Sequence, residues 1–375
     1  MLNKIYFDNF VRLNRGFDLP DNRMQEGEFP VVASTNIKGY HNEYKIEPPV
    51  VVTGRSGSLG NVQYITDKCW PLNTTLYSKD FRGNNPHYIY YYLQTMHLEQ
   101  YNAGAGVPTL NQNHLQRLKV LVHPIDEQDK IAFILSTYDS LIEANNKRIK
   151  LLERMAEELY KEWFVRFRFP GYETAEFENG IPKGWEITRA DDVIEFNPTI
   201  KAENQMEFRI IPMESLSTNS MLLDESKFEV ESGIKGRRSQ NGDTLLAKIT
   251  PCLENGKTGF VARLEDGEVA GGSTEFIVMR SKKLSSYYVY LLARSQYFRQ
   301  TAILSMNGAD GRQRVDEGKI KAMKLPVPPM CTVELFDSFV KPLFDEILHL
   351  SKVNQNLIKQ RDLLLPRLMS GKLEV

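Results

Sequence analysis

The residues best spaced for catalysis stand near the end of the chain's second half. Glu317-Gly-Lys319 has the E-x-K spacing of a metal-dependent nuclease, with Asp310 upstream as a second carboxylate. Such a centre uses acids to hold a hard cation and a lysine to steady developing charge. In a chain that is 25% charged residues, that spacing arises readily by chance. Pro251-Cys-Leu-Glu-Asn-Gly256-Lys257-Thr258 nearly matches a phosphate loop. Proline stands where the first glycine must turn, and it has no N–H to offer a phosphate, so that chemistry is rejected. Gly54-Arg-Ser-Gly57-Ser-Leu-Gly60 does not have the glycine spacing of a dinucleotide fingerprint. No G-x-S-x-G nucleophile elbow occurs, and Glu47-Pro48-Pro49-Val50 lacks both ends of an adenine amino-methyltransferase motif. His41, His87, His97, His114 and His123 crowd the first third without metal-ligand spacing, so scattered surface or loop positions are expected for them. Cys69, Cys252 and Cys331 form no C-x-x-C pair, which argues against a disulfide framework or a zinc knuckle. The expectation is a chain with no catalytic residues and no metal site.

Four loops instead carry many hydrogen-bonding groups and few titratable pairs. The first, directly after a β-branched run, holds Arg55, Ser56, Ser58 and Asn61; the second holds Thr109, Asn111, Gln112 and Asn113. In the other half, Lys248, Thr250, Asn255 and Lys257 follow a strand pattern, and Arg312, Gln313 and Arg314 close a Gly308–Arg314 loop. Arginine can pair bidentately with guanine and asparagine or glutamine with adenine, while hydroxyls, lysines and backbone N–H groups suit phosphates. Taken singly, each loop reads better as an ordinary turn whose polar residues face water.

These loops need a frame. A length of 375 residues predicts two to three folded units, and 41% apolar residues suffice for real cores. No stretch reaches the roughly 18 uncharged apolar residues of a membrane helix, and MLNKIYFDNFVRLNR has no signal-peptide core, so a cytoplasmic location is expected. The net charge of −1 gives no global positive field, so any nucleic-acid contact must come from local clusters.

The chain repeats itself. Tyr88-Ile-Tyr-Tyr-Tyr-Leu-Gln94 resembles Tyr288-Val-Tyr-Leu-Leu-Ala-Arg294, and Leu115–Pro124 resembles Ile320–Pro329. Each half runs through a mixed globular segment, an aromatic helix, a Gly/Asn/Thr-rich loop, a short strand ending in proline and a long helix. Pro49–Thr53 and Thr244–Thr250 are predicted as matching strands, and Glu275–Arg280 as another. The first long helix shows Ile131, Leu135, Tyr138, Ile142, Asn145, Ile149, Leu152, Ala156, Leu159 and Trp163 at alternating steps of four and three. The second shows Phe336, Val340, Leu343, Ile347, Leu350, Asn354, Leu357, Arg361 and Leu364. A sustained 3.5-residue period suits a partner helix better than a curved domain surface, and one asparagine per seam suits register control. Pro342 is expected either to restart or to kink the second helix. The first seam spans about 32 residues, or roughly 48 Å. The class expected is α+β: two pseudo-repeated globular domains joined by two long helices.

Several stretches resemble the specificity subunits of type I restriction-modification enzymes: VVASTNIKGYHNEY (31–44), VVTGRSGSLGNV (51–62), PLNTTLY (71–77), GVPTLNQNHL (106–115), GIPKGWE (180–186), NGDTLLAKITPCLENGKTGFV (241–261), GGSTEFIV (271–278) and GRQRV (311–315). The resemblance covers essentially the whole chain. One departure is Cys331-Thr332-Val333-Glu334 before the second helix, where the family has a Glu-Gln pair like Glu127-Gln128. The resemblance implies target recognition domains at 1–124 and 169–329 and helical spacer regions at 125–168 and 330–375, the helices packed as an antiparallel coiled coil. It adds Lys38 and Tyr40 to the DNA-binding candidates. It further implies a non-catalytic subunit that binds a bipartite, asymmetric sequence in double-stranded DNA. Two methyltransferase subunits using S-adenosylmethionine, and two restriction subunits using ATP and Mg2+, would be its partners. The other readings are a stand-alone nuclease using Asp310, Glu317 and Lys319, and a helical scaffold that never touches DNA.

Overall fold

The structure, a computed structural model, describes residues 2–104, 106–202, 206–309 and 311–375. It comprises two compact units, Met1–Glu143 with Asn354–Val375, and Ala144–Val353. In the first, strands Arg12–Arg15, Thr75–Asp80, Val50–Gly54 and Val62–Ile65 lie side by side in that order as an antiparallel sheet. A second sheet orders Ile37–His41, Phe29–Val32 and Trp70–Pro71, the last pair parallel. Asn3–Tyr6 pairs with Lys119–Val122.

The second unit repeats this arrangement strand for strand. Ile194–Phe196, Phe276–Ser281, Thr244–Ala247 and Thr258–Phe260 form the four-stranded sheet. Glu229–Glu231, Phe208–Ile211 and Gly271–Gly272 form the three-stranded one, again ending in a parallel pair. Glu186–Arg189 pairs with Lys324–Val327. Val50–Gly54 and Thr244–Ala247 are buried along their whole length, as interior strands rich in β-branched and aliphatic residues should be.

The aromatic helices match in their caps as well as in their tyrosines. Asn85 Oδ1 accepts the Tyr88 N–H at 3.1 Å to start Pro86–Thr95, and Ser285 Oγ accepts the Tyr288 N–H at 3.0 Å to start Ser286–Arg294. Each cap holds the start of a helix whose capped tyrosine is buried, Tyr88 at 0% and Tyr288 at 2% exposure. Two histidines depart from the surface positions expected of them. His41 and His123 are buried, and the His123 Nδ1 lies 2.8 Å from the Tyr88 hydroxyl, which serves as its polar partner inside the core.

The long helices run Ile125–Tyr160, continued by one wider turn over Lys161–Val165, and Met330–Met369. Every seam position named from the sequence is buried or half-buried. The expectation that Pro342 restarts or kinks the second helix is corrected in one respect: the helix is continuous across it. Pro342 and Ser338, whose carbonyl loses its N–H partner, both lie on the exposed face, where water can take over. Within the first unit the helices run antiparallel. Lys130 reaches the Val375 carbonyl, and Asp139 pairs with Arg361 while also accepting the Tyr91 hydroxyl. Within the second unit Arg148 pairs with Glu346 at 2.9 Å, and the Trp163 ring meets Phe336 at 5.5 Å between centroids.

The seam also forms a wall of each domain core. Ile131, Leu135, Leu368 and Met369 join Phe7, Phe10 and Tyr88 in one cluster. Ile149, Ala156, Trp163, Phe336, Phe344 and Ile347 join Trp185, Tyr288 and Leu246 in the other. Glu153, on the first long helix, accepts the Ser220 hydroxyl and the Met221 N–H, both at 2.7 Å. Burial pushes its pKa above the usual carboxylate value more than those two bonds pull it down. A raised folded pKa favours folding fully below the ordinary value of 4.5 and is lost as pH rises through the folded value. Glu153→Gln keeps the acceptor oxygen without the buried charge. It should be at least as stable as the native chain at pH 7 and lose ground to it as pH falls toward 4.5. Urea melts at several pH values would show this, and parallel curves would refute it. Among the described residues, no helix is long and apolar enough to cross a membrane.

Candidate nucleic-acid interface

In the first unit the buried strand Val50–Gly54 emerges at Arg55. The Arg55 and Ser56 N–H groups donate to the Thr74 carbonyl at 2.8 and 3.0 Å, and the Leu110 N–H donates to the Arg55 carbonyl at 2.8 Å. Gly57, at φ 85°, turns the chain so that its N–H meets the Pro108 carbonyl at 3.0 Å. Ser56 therefore lies beside Thr109. Among the described residues, the Arg55 guanidinium makes a single 3.3 Å hydrogen bond, to the Asn73 carbonyl, which leaves most of its donors open there.

The second unit builds the same junction from different side chains. The Lys248 N–H donates to the Glu275 carbonyl at 2.9 Å, and the Val315 N–H to the Lys248 carbonyl at 2.9 Å. The Thr250 N–H reaches the Gln313 carbonyl at 3.1 Å, and Ile249 bridges to Arg314. Position by position, Arg55 matches Lys248, Ser56 matches Ile249, Thr74 matches Glu275, and Thr109 matches Arg314. Arg314 binds the Glu275 carboxylate through Nε at 3.1 and 3.0 Å and through Nη2 at 2.6 Å. That pair holds the Glu275 carboxyl below its usual range.

The structure thus gathers Arg55, Ser56 and Thr109 in one cluster and Lys248, Thr250, Gln313 and Arg314 in another. Ser58, Asn255 and Arg312 are exposed on adjoining loops, and Asn113 is exposed in the first turn of the short helix Gln112–Gln116. The remaining candidates are committed locally. Asn61 Nδ2 donates to the Ser34 and Thr35 carbonyls at 3.2 and 2.7 Å. Lys257 Nζ donates to the Met213 carbonyl at 3.0 Å. Asn111 caps Gln112–Gln116, and Gln112 accepts the Arg15 N–H at 3.1 Å. Lys38 pairs with Asp21, and both Lys38 and the exposed Tyr40 sit on the three-stranded sheet.

Sequence reasoning missed Thr74 and Glu275. Their signal was positional, since each immediately precedes the matching strands Thr75–Asp80 and Phe276–Ser281. Glu317 sits among Arg237 at 3.5 Å, Lys321 at 3.6 Å, Lys248 at 3.9 Å and the Asn197 amide at 2.8 Å. Three cations around one carboxylate repel a metal ion, which weighs against the nuclease reading; Asp310 lies outside the described residues. Burial pushes the Cys69 thiol up to about 12, so it is no nucleophile at neutral pH.

Two α+β units of identical strand order, each presenting a polar loop junction at the end of a buried strand and sharing a pair of long helices, define the class. Residues 12–154 match the family described as type I restriction modification DNA specificity domain. The type I restriction enzyme MjaIX specificity subunit of Methanocaldococcus jannaschii is 28% identical over 306 residues, covering 77% of this chain and 69% of that one. The EcoAI specificity subunit of Escherichia coli is 31% identical over 191 residues, covering 48% of this chain and 32% of that one. The solved S subunit of a type I restriction-modification system from M. genitalium shares the fold, with a TM-score of 0.62 over 98% of this chain and 96% of that one at 14% identity. Residues 12–154 thus carry the type I restriction modification DNA specificity domain, and the chain as a whole is similar to type I restriction enzyme specificity subunits.

Proposed function

We propose that this chain reads a split, asymmetric sequence in double-stranded DNA for a larger complex and catalyses no step itself. The observation that carries this reading is the duplicated junction. Closely matching backbone frames hold Arg55, Ser56, Thr74 and Thr109 in one unit and Lys248, Ile249, Glu275 and Arg314 in the other. Such frames with unequal side chains suit two half-sites of different sequence, because base edges are distinguished by their donor and acceptor patterns. A net charge of −1 fits this role if partner subunits share the neutralisation of phosphates.

The partners are two methyltransferase subunits and two restriction subunits. S-adenosylmethionine, ATP and Mg2+ act on them rather than on this chain, and the complex works in the cytoplasm. Support for docked partners comes from apolar side chains left in water on the long helices: Phe133 at 73%, Leu151 at 61% and Leu363 at 62% exposure.

Single-molecule sequencing of methylated adenines, in a host carrying this chain and its methyltransferase, should return two different short half-sites separated by a fixed non-specific gap. A continuous or palindromic motif would sink the proposal. The purified chain alone should leave supercoiled DNA un-nicked in magnesium. Affinity of the assembled complex should fall steeply with salt, which a scaffold that never touches DNA would not show.

A further inference from the structure

We propose that Glu275 is a specificity-determining positioning residue, which fixes the Arg314 guanidinium so that its free edge reads one guanine of the second half-site. The inference rests on the DNA-reading role proposed above and adds the residue that sets one base of it.

The geometry is that of a buttressed fork. Arg314 offers its Nε and Nη2 side to the carboxylate at 2.6–3.1 Å. A guanidinium has five N–H groups in a rigid plane, so this leaves three, including a parallel pair on the Nη1–Nη2 edge. That edge matches the O6 and N7 acceptors of guanine. The backbone beneath is equally fixed. The Arg314 N–H and carbonyl both bond Asn307, each at 2.9 Å. Glu275 is anchored at both ends of its peptide unit, its N–H on Ser273 Oγ at 3.2 Å and its carbonyl on the Lys248 N–H at 2.9 Å. The carboxylate is the more sheltered partner, at 25% side-chain exposure against 49% for the arginine, so the acid sits behind and the fork in front.

Charge points the same way. A carboxylate beside the guanidinium repels phosphate and weakens the pull of the DNA backbone on Arg314, while leaving its hydrogen-bonding edge intact. Arg312, exposed and without a side-chain hydrogen bond or ion pair among the described residues, lacks that restraint and suits a phosphate. The first unit has Thr74 and Thr109 at the matching positions, which cannot form such a pair, so the first half-site is read there by other chemistry.

The test uses the chain assembled with its methyltransferase subunits, acting on a DNA library in which the second half-site is randomised. The native complex should show a guanine preference at one position there. Glu275→Gln keeps the shape but not the charge. It should lower discrimination at that position by roughly tenfold or more, with the first half-site and the gap unchanged as an internal check of folding. Arg314→Lys, which keeps the charge but not the fork, should relax the same position. If Arg314→Lys relaxes a base and Glu275→Gln does not, Arg314 reads alone and the positioning role is overturned. If both lower methylation of all sequences equally, the pair is a structural clasp and the inference fails. A native complex with no split-site preference would instead defeat the DNA-reading role itself.

Discussion

Phe336→Ala is expected to cost about 3–5 kcal/mol, the range for deleting a buried aromatic ring whose surroundings collapse only partly. Phe336 is fully buried in the second long helix. Its ring lies 5.5 Å from Trp163 and 4.7 Å from Phe164 between centroids, and Phe164 in turn meets Trp185 at 6.0 Å and Tyr288 at 4.7 Å. One ring thus ties both helices to the domain core and the aromatic helix. Against a typical folding stability of about 5–15 kcal/mol, that loss is a large fraction of the whole. Phe339, one turn on, also touches Trp163, at 5.8 Å, but is 50% exposed. Phe339→Ala should cost about 1 kcal/mol or less. Denaturant melts of the two variants decide the matter, and equal losses would mean that the helix does not share the core. Reading of the second half-site should fail first in Phe336→Ala, since Leu246 in the strand before Lys248 belongs to the same cluster.

The second expectation concerns spacing. Inserting one heptad after Glu143 and another after Val353, where the compact units divide within the helices, adds about 10 Å to each helix. Seven residues restore the same face, so the seam is preserved. The preferred gap between half-sites should grow by roughly three base pairs at about 3.4 Å each, with the half-site sequences unchanged. The added pairs also rotate one half-site around the duplex, so the overall rate should fall. The readout is the preferred gap in a library of gap lengths methylated by native and extended complexes. An identical preferred gap would show that the helices do not set the spacing.

The architecture was legible wherever periodicity had a single physical cause. The two seams were readable because each side chain on them is buried or half-buried. The repeat was readable because Tyr88 and Tyr288 sit one turn into capped helices that both cores need. What the sequence concealed was pairing at a distance. Arg314 looked like an open base reader, yet it is half-spent on Glu275, 39 residues away along the chain. Asn61, Lys257 and Gln112 looked equally open and are bound to backbone groups of other segments. Composition cannot reveal such bonds, because nothing local requires them. His41 and His123 misled for the same reason, their partners and covering side chains coming from elsewhere. At Pro342 the expected restart does not occur, because the Ser338 carbonyl that loses its N–H partner lies on an exposed face open to water.

The first unit is assembled from both ends of the chain, its core closing only when Leu368 and Met369 reach Phe7, Phe10 and Ile131. The second is one unbroken stretch, Ala144–Val353. Order of synthesis therefore runs against order of completion. The ribosome makes residues 1–143 first, then about 210 residues of the second unit, before the segment from Asn354 that the first unit lacks. At roughly 5–20 residues per second, the first unit waits some tens of seconds with part of its apolar wall uncovered. The earlier-made reader is thus the later to mature and the more exposed to chaperones and proteases in the interval, and a lesion in the last helical turns strikes the half of the molecule that was translated first.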